Sequence, residues 1–169
     1  MWRITIFIPT FIFLIPFITY ADIDSDLLVA ARKGDISAVI SLLDKGANIE
    51  TRNVPDGNHG YNSGFTPLMF AVDNGYKNVV KELLKKGANA NARGTDESHT
   101  TPASLLDIAT RKDDKDLDLD IIKSLIEYGA DINSDHRILL ASAYGRFELV
   151  KLFLENGAKV NFSDGNNAL

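Results

Sequence analysis

The stretch "GFTPLMFAVDNG", Gly64 to Gly75, decides how the rest of the chain is read. Its centre is a helix start: the Thr66 hydroxyl can accept from an early helical N–H, and Pro67 fits the first helical position, where no N–H is needed. Leu68, Ala71 and Val72 then supply a short apolar face, and Gly75 allows a tight turn. Beyond it, Val79, Val80, Leu83 and Leu84 recur at helical spacing, and Gly87 stands where a left-handed cap is wanted. The segment predicts two short helices joined by a tight turn.

The same arrangement recurs along the chain. Gly-Ala pairs stand at Gly46-Ala47, Gly87-Ala88, Gly129-Ala130 and Gly157-Ala158. Three of them are preceded by a turn glycine (Gly34, Gly75, Gly145), itself preceded by an alanine (Ala30, Ala71, Ala141). Second-helix stripes equivalent to that of Val79 to Leu84 read Val39, Leu42, Leu43; Ile121, Ile122, Leu125, Ile126; and Leu149, Val150, Phe153, Leu154. No unit can bury such a stripe alone, whereas stacked units form one continuous core.

Thr66-Pro67-Leu68-Met69-Phe70-Ala71 resembles the T-P-L-H-x-A start of the ankyrin repeat, with Met69 in place of the histidine. The resemblance implies an all-α solenoid of about four helix-turn-helix units over 24–51, 61–92, 101–133 and 134–162, with two extended finger loops. Residues 163–169 read as the start of a fifth unit.

Departures from the pattern are informative. The first unit lacks the Thr-Pro start and any preceding finger, as suits an N-terminal cap. The Gly-Ala pairs lie 41, 42 and 28 residues apart, whereas the repeat has a period of about 33. "TRNVPDGNHGYNSG" and "ARGTDESHTTPA" lengthen two fingers, and Asp113 to Asp116 widen the turn inside unit three, where Leu117 replaces the turn glycine. "DINSDHRILL" is short for a finger. Apolar residues on the outer side of unit four therefore need a cover from the tail, another chain or a continuation.

The 169 residues, 45% hydrophobic and 24% charged, suit one globular domain. Absence of cysteine excludes disulfides, thiol catalysis and cysteine-ligated zinc. In residues 1–21, Arg3 precedes an apolar run from Ile4 to Ile18, and Thr19 and Ala21 form a small-x-small exit. These are the features of a secretory signal peptide cleaved after Ala21, which implies an extracytoplasmic address, periplasmic or secreted. The alternative is a membrane anchor over residues 4–20, although a span needs ~20 apolar residues and Pro9 and Pro16 interrupt this one. The mature part, with 17 basic and 23 acidic residues, carries −6. That balance argues against nucleic-acid binding, which needs clustered Lys and Arg.

No catalytic motif is present: the chain lacks G-x-S-x-G, H-E-x-x-H, the P-loop and G-x-G-x-x-G. His59 and His99 fall in adjacent fingers without the further ligands a metal needs, and His136 stands apart. The acidic run Asp113, Asp114, Asp116, Asp118, Asp120 lacks the glycine and glutamate of a calcium loop and reads as a solvated turn leading into a helix N-terminus. Lys77, Lys81, Lys85 and Lys86 read as the solvated face of a helix. Asn161-Phe162-Ser163 matches the N-glycosylation pattern, relevant only in a eukaryotic secretory pathway. Neither cofactor nor metal is expected.

The resemblance implies a non-enzymatic module that binds one or more proteins through finger tips and the concave face of the first helices. Carried over by position, the candidates preceding the turns are Arg32 and Lys33, Asp73 and Asn74, Ala143 and Tyr144, and, in unit three, Arg111 and Lys112. On the finger of unit two, "YNSGFT" matches the family's D-x-x-G-x-T, so that Asn62, Ser63 and Phe65 should point outward. Phe65 and Tyr144 are the aromatic candidates for anchors; for Phe65 the competing expectation is packing on its own finger. Membrane contact is expected only if the N-terminal segment is retained. The other functional readings are a membrane-tethered adaptor, an exported host-directed effector, and a small hydrolase or metal protein built on the long fingers.

Overall fold

The computed structural model describes residues 20–53, 64–94, 102–111, 117–134 and 137–160. Within them the chain runs through α1 (Tyr20–Lys33), α2 (Ile36–Asp44), α3 (Pro67–Asp73), α4 (Lys77–Lys85), β1 (Arg93–Gly94), β2 (Ala103–Ser104), α5 (Leu105–Thr110), α6 (Leu119–Glu127), α7 (Arg137–Ala143) and α8 (Phe147–Glu155). The helices pair as α1–α2, α3–α4, α5–α6 and α7–α8, the repeat units expected from the sequence. First helices stack on first helices (α1 on α3, α3 on α5) and second on second (α2 on α4, α4 on α6). α1 already includes Tyr20 and Ala21, ahead of the expected unit start at Asp24.

Local chemistry sets the helix boundaries. Thr66 caps α3 by accepting from the Met69 N–H at 3.3 Å, with Pro67 at the first position. Ser104 does the same for α5 from Asp107, Asp35 for α2 from Ala38, and Asp118 for α6 from Asp120 and Ile121. Gly75 and Gly87 take φ of +75° and +95°. That conformation closes each turn: the Tyr76 N–H reaches the Ala71 carbonyl at 2.9 Å, and the Ala88 N–H that of Leu83 at 3.0 Å. Leu27, Val39, Leu68, Leu83, Ile122, Leu125 and Phe153, from successive units, lie in one contiguous buried cluster.

Units are also tied at their exits by a ladder of side-chain bonds. Glu50 accepts from the Asn89 N–H (2.7 Å), Asn91 from Asp131 (2.8 Å), and Asn133 from Lys159 (2.8 Å), while within unit one Asp24 accepts from Asn48 (2.7 Å). Asn91 also donates to the Gly129 carbonyl at 2.8 Å. Ion pairs join the second helices: Lys86 to Asp44 at 2.8 Å, and Lys77 to Asp120 at 2.8 Å and Asp118 at 3.4 Å. The polar residue three positions after a Gly-Ala pair, Glu50, Asn91 or Asn133, thus fixes the register of one unit on the next.

The finger between units two and three adds a feature to the all-α expectation. β1 and β2 pair antiparallel, Arg93 opposite Ser104 and Gly94 opposite Ala103. The backbone at Gly94 lies on unit two so closely that a Cβ there would stand 2.9 Å from both Met69 Sδ and Phe65 Cδ1. Only glycine fits that approach.

Unit four is set apart. α5–α7 and α6–α8 approach less closely than the other stacked pairs. On its outer side, Leu139, Leu154 and Val160 are exposed, whereas the equivalent Met69, Leu84 and Ala90 of unit two, on which unit three stacks, are buried. The outer side of unit four therefore lacks a cover among the described residues.

Candidate protein-binding face

The first helices end, one beside the next, in the residues expected to contact a partner. Arg32 and Lys33 close α1 and are exposed. Arg32 borders a groove of about 190 Å³ between α1 and α3, with Leu28, Val29, Asn53 and Phe70. Asp73 is half-buried and Asn74 exposed, but the Asn74 amide donates to the Phe70 carbonyl at 2.8 Å, capping its own helix. Asn156 makes the same bond to Leu152 at the end of α8. Part of the hydrogen-bonding capacity of Asn74 is thus committed to the scaffold.

In unit three Arg111 is exposed at the end of α5 and ion-paired with Asp107 at 2.7 Å, one helical turn back. In unit four Tyr144 is 72% exposed, and the Arg146 guanidinium carbon lies 5.7 Å from its ring centroid. Arg146 also donates to the Thr110 carbonyl, so it bridges units three and four. Asn62, Ser63 and Lys112 lie outside the described residues, as do residues 1–19, all three histidines, Asp113 to Asp116, Asn161 to Ser163 and the start of the fifth unit.

Phe65 corrects one expectation. It does not point outward: it is 2% exposed, its ring edge-to-face with Phe70 at 5.4 Å between centroids. Its backbone carbonyl accepts from the Asn53 N–H at 2.9 Å, which draws the finger inward, and Gly94 covers the ring from the next finger. An aromatic ring that can be buried on both sides gains more there than in water. The competing expectation, packing on its own finger, describes where it sits.

Sequence reasoning passed over Leu140 and Arg146 and read Leu149 only as part of a buried stripe. With Thr110, Arg111, Ala141 and Tyr144 they line a groove of about 430 Å³ between α5 and α7. A signal for Leu140 was available: it occupies the position of Phe70, and a smaller side chain there leaves space. The acidic run is accounted for where it is described. Asp118 caps α6, and Asp120 holds Lys77. That hydrogen bond pulls the Asp120 carboxyl below its ordinary value and raises the Lys77 ammonium. Among the described residues no cluster of three or more histidine, aspartate or glutamate side chains could hold a metal ion.

A family model described as ankyrin repeats, in three copies, matches residues 27–136. Among curated proteins, the chain is 32% identical over 162 residues to the ankyrin repeat and KH domain-containing protein mask-1 of Caenorhabditis elegans, covering 82% of this chain and 6% of that protein. It is 36% identical over 114 residues to an ankyrin repeat protein of Rickettsia felis, covering 66% of this chain and 45% of the relative. It is 32% identical over 108 residues to the B-cell lymphoma 3 protein homolog of Mus musculus, covering 62% and 20% respectively. The chain thus spans less than half the length of each.

Proposed function

From a chain that belongs to the ankyrin-repeat family, we propose a protein–protein interaction module without enzymatic activity, whose first-helix face grips a partner protein. The observation that carries this reading is the row of exposed ends, Arg32 and Lys33 on α1, Arg111 on α5 and Tyr144 on α7, beside two grooves that no described element of the chain fills. The second-helix side also carries a groove, of about 400 Å³, but its walls are mostly charged or polar, among them Lys81, Glu82, Lys85 and Glu127, and the Lys77 and Lys86 ion pairs on that side are scaffold contacts. Interfaces favour exposed aromatic and arginine anchors bordering apolar floors, and this face has both.

The reading includes an address. The charge, apolar run and small-residue exit of residues 1–21 support export, with action outside the cytoplasm as a binding or scaffolding protein. Retention of residues 4–20 would make the same module a membrane-tethered adaptor, and delivery into a host would make it an effector. The net charge of −5 favours protein over nucleic acid as partner.

A photo-reactive residue placed at Arg32 or Tyr144, in cells of the native source, should cross-link a discrete protein. The same group at Lys81 on α4 should not. Cross-links from Lys81 alone would move the binding face to the second helices and overturn the assignment. The intact mass of the protein from fractionated cells tests the address: a soluble species starting at Asp22 supports export, and a full-length membrane species supports the anchor.

A further inference from the structure

Resting on that reading, we propose that the groove between α5 and α7 receives a partner segment in which an acidic side chain stands next to an aliphatic or aromatic one. The first observation is shape. Where α3 carries Phe70 and α5 carries Ile108, both buried, α7 carries Leu140, 42% exposed. A side chain smaller than Phe70, and the wider separation of α5 from α7, leave about 430 Å³ here against about 190 Å³ between α1 and α3. A side chain of leucine or phenylalanine size can enter without displacing a described residue.

The second observation is the chemistry of the walls. Leu140, Ala141 and Leu149 make an apolar floor, and Tyr144 stands at the edge as a largely exposed ring. Burying an incoming apolar side chain against these removes surface from water on both partners. The groove also spans two units, so its occupant clamps unit four to unit three where the scaffold itself holds them least closely.

The third observation is charge. Among the described residues, the side chains lining the groove include two guanidinium groups, Arg111 and Arg146, and no carboxylate. Neither is idle: Arg111 pairs with Asp107, and Arg146 engages Thr110 and Tyr144. A guanidinium offers five donors in a planar fork and serves more than one acceptor, so a partner carboxylate joins these contacts rather than replacing them. A basic partner segment would face two fixed cations at the rim, which selects against it. Nucleic acid fits less well, because the floor is aliphatic and Tyr144, the one ring among the described lining residues, is already faced by Arg146.

A library of random displayed peptides, selected on the full chain, tests this. The expected clones place aspartate or glutamate next to leucine, isoleucine or phenylalanine. Their binding should fall about tenfold or more with Tyr144→Ala and with Arg111→Gln, weaken as salt is raised, and persist with Lys81→Ala. Circular dichroism should show each variant folded, because Tyr144 and Arg111 are exposed. Clones rich in lysine and arginine, or clones unaffected by both groove variants, would overturn the inference. Displacement of the clones by oligo(dT) would overturn it in favour of a nucleic-acid groove. If the clones depend on Arg32 instead, this inference falls while the interaction-module reading stands; failure of both the selection and the cross-linking at Arg32 and Tyr144 would remove both.

Discussion

Replacing Phe65 with alanine separates the two roles that its sequence position suggested. The ring is 2% exposed, packs edge-to-face on Phe70 at 5.4 Å, and lies under the Gly94 backbone. Truncating a buried phenylalanine costs about 3 to 5 kcal/mol, from lost transfer energy and the cavity left behind. The edge-to-face pair contributes about 0.5 to 1.5 kcal/mol of that. Collapse of the neighbouring finger onto the cavity would bring the loss toward the lower figure, so about 3 kcal/mol is expected. Tyr144→Ala, by contrast, removes a ring that is 72% exposed and should change stability by about 0.5 kcal/mol or less. Urea unfolding followed by far-ultraviolet circular dichroism measures both variants under one set of conditions. The stack is short enough for its units to unfold together, and an unchanged denaturant slope checks that they do. A Phe65→Ala loss below about 1 kcal/mol would refute the burial argument and return this residue to the candidates for direct partner contact.

The same geometry sets three further outcomes. Gly94→Ala should destabilise by about 1 to 3 kcal/mol, because its Cβ meets Met69 and Phe65 at 2.9 Å, and the loss should be less than additive with that of Met69→Ala in the same unfolding assay. Asn91→Ala removes two inter-unit hydrogen bonds, to Gly129 and from Asp131, and should cost about 1 to 2 kcal/mol, with hydrogen exchange showing faster opening after Gly129. For the Lys77–Asp120 pair the sign differs at each end of the pH scale. The lowered Asp120 carboxyl contributes above its ordinary value near ~3.9, and this is lost as pH falls through the lowered value; the raised Lys77 contributes below ~10.4, and this is lost as pH rises through the raised value. Lys77→Ala should therefore lower stability slightly at neutral pH, slightly because the pair is exposed, with the difference from the unaltered chain vanishing at both extremes; an unaltered profile would show that the pair is not held in solution.

A stack of this kind locates specificity in the surface that successive units present together, because each unit alone offers only one helix end. Arg111 and Tyr144 lie more than thirty residues apart in the chain and border one groove. Arg146 binds the end of α5 from the turn after α7. A substitution on either side of the boundary therefore changes the same recognition surface.

The amino-acid sequence by itself determined the unit: Thr66 and Pro67 start a helix, Gly75 and Gly87 turn the chain, and Val79, Val80, Leu83 and Leu84 fix the buried stripe. All of these act over a few residues, through dihedral preference, capping and 3.6-residue periodicity, so they can be read without knowing what lies opposite. The stack as a whole was legible for the same reason, since copies of one apolar face have only each other to bury against. Three outcomes were decided by contacts across units. Phe65 carries the same residues around it whether it faces solvent or lies under Gly94, and only the approach of the next finger buries it. Leu140 becomes a groove floor, where Phe70 is buried, because α7 stands farther from α5 and its side chain is smaller. Arg146 reads as an ordinary turn residue until the fold brings the Thr110 carbonyl within its reach. Burial and electrostatics depend on the distance between groups remote in sequence, and that distance exists only once the units are packed.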